Sequence, residues 1–134
     1  MIPRTLLTNT TGCRCWMLVD DNQEILRLLE DAVAKIFGVE VAGYDSPVAA
    51  LAAFQTAPER FQCVITDLEM PGMSGFELCD LIHEISPRIR VLLATGSQHV
   101  TAQEAGARGF CGLLTKPFSL SALQREMALL PEGE

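Results

Sequence analysis

The strongest constraint in this chain is a repeated juncture: a short apolar run stops on a polar or acidic residue, and an amphipathic stretch follows. WMLV (16–19) runs into Asp20-Asp21-Asn22. CVIT (63–66) runs into Asp67, after which Met70-Pro71-Gly72 turns the chain into Phe76-Glu77-Leu78. Short apolar runs without polar alternation suit strands buried on both faces, and the helical stretches between them suit crossovers joining parallel neighbours. A carboxylate at the tip of such a strand is costly to keep unless something beyond the tip needs it.

Read along the chain, strands are predicted over 16–19, 39–44, 63–66, 89–94 and 113–115. The first helix carries Ile25, Leu29, Ala32, Val33 and Ile36 on one face and stops at Gly38. Ser46-Pro47 supplies an N-cap and a first-turn proline to a second helix through Ala49, Leu51, Ala52 and Phe54. Ser74 and Glu77 fit a capping box, opening a third helix through Leu78, Leu81, Ile82 and Ile85 that Pro87 ends. A fourth spans 100–108. The fifth opens at Ser119 or Ser121, carries Leu123, Met127 and Leu130, and stops at Pro131. Five strands alternating with five helices give an α/β fold, a doubly wound parallel sheet covered on both faces. One domain occupies 14–131, after a loose polar leader over 1–13 and before a tail over 132–134.

Composition narrows the function. The chain has 134 residues, a net charge of −7 and only two lysines, Lys35 and Lys116. That is the wrong balance for a nucleic-acid surface, which needs a basic patch. No apolar run approaches the roughly 18 residues of a membrane span. The first 13 residues hold no hydrophobic stretch for a signal peptide, nor one ahead of Gly12-Cys13 for a lipoprotein signal. Five cysteines (13, 15, 63, 79 and 111) make an odd set without framework spacing, which reads as reduced thiols in the cytoplasm. Cys13-Arg14-Cys15 lacks partners at metal-binding spacing. Cys63, Cys79 and Cys111 read as small core fillers, and His83 and His99 as surface residues.

In open parallel sheets the chemistry gathers outside the C-terminal strand ends, near the point where strand order reverses. Here those ends carry Asp20 and Asp21, then Asp67, then Thr95 and Gly96, then Lys116-Pro117. Asp45, after the second strand, only starts a turn. Three carboxylates close together repel, and a divalent cation relieves them; an all-oxygen ligand set favours Mg²⁺ or Mn²⁺ over zinc. A cation plus the Lys116 ammonium around one carboxylate also makes an anion site, suited to a phosphoryl group on that carboxylate. Asp67 is therefore predicted to be a nucleophile that becomes phosphorylated, with Thr95 and Lys116 on the phosphoryl oxygens and Gly96 leaving room for entry.

The segments MLVDDN (17–22), VITDLEMPGMSGFEL (64–78), VLLATGS (91–97) and LLTKPF (113–118) resemble, in order, the four signature segments of response-regulator receiver domains. The resemblance covers about residues 15 to 130. It implies a flavodoxin-like (βα)5 fold with strand order 2-1-3-4-5. It also implies Asp67 as phosphoacceptor, Asp21 as direct metal ligand, Asp20 acting mostly through metal-bound water, and the backbone carbonyl of Glu69 as a further ligand. Thr95 is implied as the switching hydroxyl and Lys116 as the phosphate contact. One departure stands out: receivers commonly carry Tyr or Phe three residues before the lysine, and here that position is Leu113, with Phe110 six residues ahead. Coupling through a rotating ring is thereby put in question.

The implied partners are a sensor histidine kinase or histidine phosphotransfer domain as phosphodonor, an unnamed downstream protein, and a second copy through the fourth and fifth helices. Slow self-dephosphorylation, tuned by the Glu69 side chain and Ser97, belongs to the same picture; a turnover enzyme does not. Leu26 and Leu28, at the margins of the first helix's apolar face, either widen the core or dock a helical phosphodonor. The expected context is a single-domain regulator or a receiver cut from a hybrid sensor kinase, since TGS (95–97) looks like receivers of that class. Each site residue also has a plainer reading. Asp20-Asp21 makes an N-cap, Asp67 a turn, Thr95-Gly96 a turn, and Lys116 a solvated lysine. The competing functional class is a phosphorylation-independent interaction module on the same fold, which Leu113 keeps open. A magnesium phosphatase with an aspartyl nucleophile would need that nucleophile after the first strand and a cap insertion, and neither is present.

Overall fold

The computed structural model describes residues 15–97 and 99–128. Five parallel strands, β1 (Cys15–Val19), β2 (Glu40–Tyr44), β3 (Phe61–Thr66), β4 (Arg90–Thr95) and β5 (Gly112–Thr115), form one sheet in the order β2-β1-β3-β4-β5. The order reverses between β1 and β3, so the crevice expected of an open α/β sheet lies above those two strands. The helices are α1 (Gln23–Phe37), α2 (Pro47–Thr56), α3 (Gly75–Ile85), α4 (Ala102–Ala107) and α5 (Leu120–Ala128), and a short 3-10 turn, Pro58–Arg60, leads into β3. The doubly wound architecture and strand order expected from the sequence are those observed.

Strand alternation divides the core in two. Met17 and Val19 of β1, Val64 of β3, and Val91 and Leu93 of β4 pack with Phe54, Leu78, Ile82 and Ala105, under α2, α3 and α4. Trp16, Leu18, Ile65, Leu92 and Leu114 point the other way, onto Leu26, Leu29, Val33 and Leu123 of α1 and α5. Both faces of the three central strands are thus dry, which is why those strands read as apolar runs, while the edge strand β2 is only half-buried.

Caps set where each helix begins. The Asn22, Ser46 and Thr101 side chains accept the N–H groups of Ile25, Ala49 and Glu104 at 3.1, 3.2 and 3.0 Å. Ser74 and Glu77 close a full capping box, and Ser119 Oγ takes the Ala122 N–H at 3.1 Å, which decides between the two serines proposed for α5. α1 ends on Gly38 at φ 62°, where the left-handed turn favours glycine.

Several local readings shift. The buried stripe of α1 is Leu26, Leu29 and Val33, with Ile25 and Ile36 only half-buried, so Leu26 is core and Leu28, 71% exposed, is not. β3 starts at Phe61, whose ring stacks on Phe54. α4 is shorter than 100–108 because Thr101 caps it. Cys63 and Cys79 are buried as expected, whereas Cys111 is exposed. His83 is half-buried rather than superficial, with Nε2 2.9 Å from the Ile89 carbonyl and Nδ1 3.5 Å from Cys79 Sγ. The predicted leader, Cys13, Leu130 and Pro131 lie outside the described residues. Among the described residues no helix is long and apolar enough to cross a membrane.

Candidate functional site

The sheet ladder continues one residue past the strands, and that extra rung builds the site. Asp20 N–H donates to the Tyr44 carbonyl at 3.1 Å, Asp67 N–H to the Val19 carbonyl at 2.9 Å, and Lys116 N–H to the Thr95 carbonyl at 2.8 Å. Asp20, Asp67, Thr95 and Lys116 are therefore fixed at the C-terminal rim by backbone bonds before any side chain acts. The carboxylate and lysine side chains then converge. Asp20, Asp21 and Asp67 each bring a carboxylate oxygen within 4.8 Å of the others. Asp20 is buried, Asp67 half-buried and Asp21 exposed, so the group opens to solvent on one side.

The Lys116 ammonium lies 2.6 Å from Asp20 Oδ2 and 3.5 Å from Asp67 Oδ1. Asp20 Oδ1 also accepts the Asn22 N–H at 2.9 Å, and Asp67 Oδ1 the Leu68 N–H at 2.8 Å. Burial holds the Asp67 carboxyl above its ordinary value, although Lys116 pulls the other way; the Asp20 charge adds to the rise and the Leu68 N–H opposes it. Asp67 thus sits where an added positive charge is welcome.

Thr95 is buried at the end of β4, where its Oγ1 accepts the Ser97 N–H at 3.1 Å. Gly96 is exposed, and a Cβ built there would meet nothing within 4 Å, which agrees with open space past the end of β4. Glu69, two residues beyond Asp67, is exposed in the loop before α3. Leu113 is half-buried and packs against the α2–α4 side of the core. Phe110 is buried on that same side against Phe76, its ring centroid 6.0 Å away, so it is a core residue and not a substitute ring at the rim.

Three contributors escaped the sequence reading. Asn22 holds Asp20 through its N–H while its side chain caps α1. Gln23 Nε2 donates to Asp45 Oδ2 at 2.7 Å, giving Asp45 a role in tying β2 to α1. Gly75 lets α3 begin against the backbone of the Asp67 loop. Only Gly75 left a signal, the second glycine of MPGMSG, which no turn rule explains.

Beside the rim, Ile25, Leu28, Leu29, Phe118, Leu120 and the Lys116 stem line a groove of about 390 Å³. Leu28 and Leu120 are among the few large apolar side chains left exposed.

An oxygen-only carboxylate set with an open side suits a hard divalent cation, and an ammonium beside it suits an anion. Residues 17–128 match the model of the response regulator receiver domain. The chain is 39% identical over 108 residues to the response regulator protein FleR of Pseudomonas aeruginosa, covering 80% of this chain but 22% of FleR. It is 31% identical over 112 residues to the response regulator receiver protein CpdR of Brucella abortus, covering 83% of this chain and 91% of that protein. A crystal structure of a response regulator receiver domain protein from Clostridium thermocellum superposes with a TM-score of 0.78 at 28% identity, covering 85% of this chain and 90% of that one. Fold, rim chemistry and relatives agree: this chain belongs to the response regulator receiver domain family.

Proposed function

We propose that the chain accepts a phosphoryl group on Asp67 from a phosphohistidine. A carboxylate oxygen of Asp67 bonds to phosphorus, the P–N bond breaks, and the imidazole leaves with the electron pair. Water later attacks the same phosphorus, restoring the carboxylate and releasing inorganic phosphate. The observation that carries this reading is the Lys116 ammonium 3.5 Å from a half-buried Asp67 carboxylate that two further carboxylates flank.

Asp21, Asp67, Asp20 and the Glu69 carbonyl would hold Mg²⁺, or Mn²⁺ in its stead. The ion supplies positive charge for the phosphoryl oxygens in transfer. Lys116 contacts one phosphoryl oxygen and Thr95 another, and Thr95 then draws on the loop that starts at Gly96. Glu69 and Ser97, each two residues beyond a rim residue, tune the rate of hydrolysis. The chain acts as a phosphoacceptor that assists its own loading and unloading rather than as a turnover enzyme.

The donor is a sensor histidine kinase or a histidine phosphotransfer domain, docking over exposed Leu28 of α1. The signal passes through the α4-β5-α5 face to a downstream protein, with a second copy pairing through α4 and α5 as a further use of that face. The work is cytoplasmic, without direct nucleic-acid contact, either as a single-domain regulator or within a longer protein such as a hybrid sensor kinase. Leu113 at the usual aromatic position favours one second reading, a module that signals by docking alone. Incubation with acetyl phosphate separates the two. A Mg²⁺-dependent, chelator-sensitive acyl phosphate supports the phosphoacceptor; its absence, with beryllofluoride also failing to bind, supports the docking module.

A further inference from the structure

β3 ends on a hydroxyl although the residues before it are apolar. Thr66 follows Val64 and Ile65, is fully buried, and by strand alternation faces the same side of the sheet as Val64, toward α2, α3 and α4. Valine has nearly the same shape and suits a dry strand better, because a buried hydroxyl must find a partner to offset its lost water.

That partner lies in the site. Thr66 Oγ1 donates to the Asp67 carbonyl at 2.8 Å. The carbonyl is one end of the peptide joining Asp67 to Leu68. The other end is the Leu68 N–H, which donates to Asp67 Oδ1 at 2.8 Å. Because a peptide is planar, fixing its carbonyl also fixes the direction of its N–H. A hydrogen bond accepted by the carbonyl polarises that N–H as well, making it a better donor. The bare Cα of Gly75 lies against the same carbonyl, where a Cβ would overlap it, so the peptide is braced from a second side. The Asp67 carboxylate needs such a hold, since those of Asp20 and Asp21 approach within 4.8 Å and push it away.

We propose that Thr66 is a positioning residue for the phosphoacceptor: its hydroxyl pins the 67–68 peptide, and the pinned Leu68 N–H aims the Asp67 carboxylate. The inference deepens the receiver reading and rests on it. Thr66 acts through one peptide plane and not by contact with the phosphoryl group. A threonine that merely satisfied its own hydroxyl could be replaced by valine without effect on loading.

The test is the rate of loading from acetyl phosphate at saturating Mg²⁺ in wild type, in Thr66→Val, which keeps the shape, and in Thr66→Ser, which keeps the hydroxyl. Thr66→Val is expected to load about tenfold more slowly, and Thr66→Ser within about twofold of wild type, as misorientation of a reacting group predicts. A second readout needs neither donor nor metal: the Leu68 amide proton in two-dimensional NMR. Its signal is expected to move upfield in Thr66→Val, as a weakened hydrogen bond requires, and to return in Thr66→Ser. Loading of Thr66→Val at the wild-type rate, equal slowing in both variants, or an unmoved Leu68 signal in Thr66→Val overturns the proposal and leaves the receiver reading intact. Absence of loading in wild type overturns both.

Discussion

Gly75 opens α3 directly against the carbonyl of Asp67: its N–H donates to the Leu68 carbonyl at 2.7 Å, and a Cβ built on it would overlap the Asp67 carbonyl oxygen. The helix that follows the central carboxylate is thereby locked to the backbone that carries it. Gly75→Ala gains helix propensity of about 1 kcal/mol at most, yet must push main chain aside, and overpacking of that kind costs roughly 1–3 kcal/mol. We expect net destabilisation in urea or thermal melts. Gly96→Ala, with open space around its Cβ, should stay within about 0.5 kcal/mol of wild type.

Asp67 is expected to destabilise the fold it serves. Its folded pKa lies above the ordinary 3.8, mainly because of burial. The folded state thus holds that proton more tightly than the unfolded chain. Its contribution favours folding at low pH and is lost as pH rises through the raised pKa. In metal-free buffer at neutral pH, Asp67→Asn should raise Tm. The gap should close as pH falls from the raised pKa toward 3.8. Paired melts of the two proteins across pH check this.

How much of this was legible beforehand follows from which interactions are local in sequence. The strands were readable because burial leaves short apolar runs, and the rim residues because each directly follows such a run; the strand order was implied only by the resemblance to receiver domains. Ser74 and Glu77 announced α3 because a capping box is complete within four residues. In the α1 stripe Leu29 and Val33 are buried as expected, but Leu26 is buried where Ile25 was expected, since the two are equally apolar and only packing into the cluster with Leu18, Leu29 and Val33 decides between them. Cys111 looked like core but emerges at an exposed turn ahead of β5, where its thiol reaches the Val91 carbonyl at 3.4 Å. His83 looked superficial because the Ile89 carbonyl that receives it comes after Pro87. The tie between Lys116 and Asp20 spans 96 residues and left no local mark.

Leu28 should matter for donor docking and not for chemistry. It is 71% exposed on α1 beside the apolar groove. Leu28→Arg is expected to slow transfer from a histidine phosphotransfer domain about tenfold or more, as loss of an interface anchor does. Labelling by acetyl phosphate should be unchanged. Equal slowing with both donors would place Leu28 in the chemistry instead.

Thr95 should separate loading from switching. Its buried hydroxyl accepts the Ser97 N–H, so Thr95→Val removes that bond at a cost of about 1 kcal/mol. Beryllofluoride should still bind at Asp67. The amide shifts that it induces over residues 96–101 in wild type should largely vanish in the variant, read by two-dimensional NMR. With Leu113 and no ring at the usual position, we expect smaller shifts over β5 than over that loop.

The most direct test of the whole account is where phosphorus goes. Wild type and Asp67→Asn are incubated with acetyl phosphate and Mg²⁺, then trapped and mapped by peptide mass spectrometry. The account predicts one hydroxylamine-labile phosphoryl group on the peptide carrying Asp67, and none in the variant. Undiminished labelling of Asp67→Asn, or a stable phosphoryl group on another residue, would contradict it.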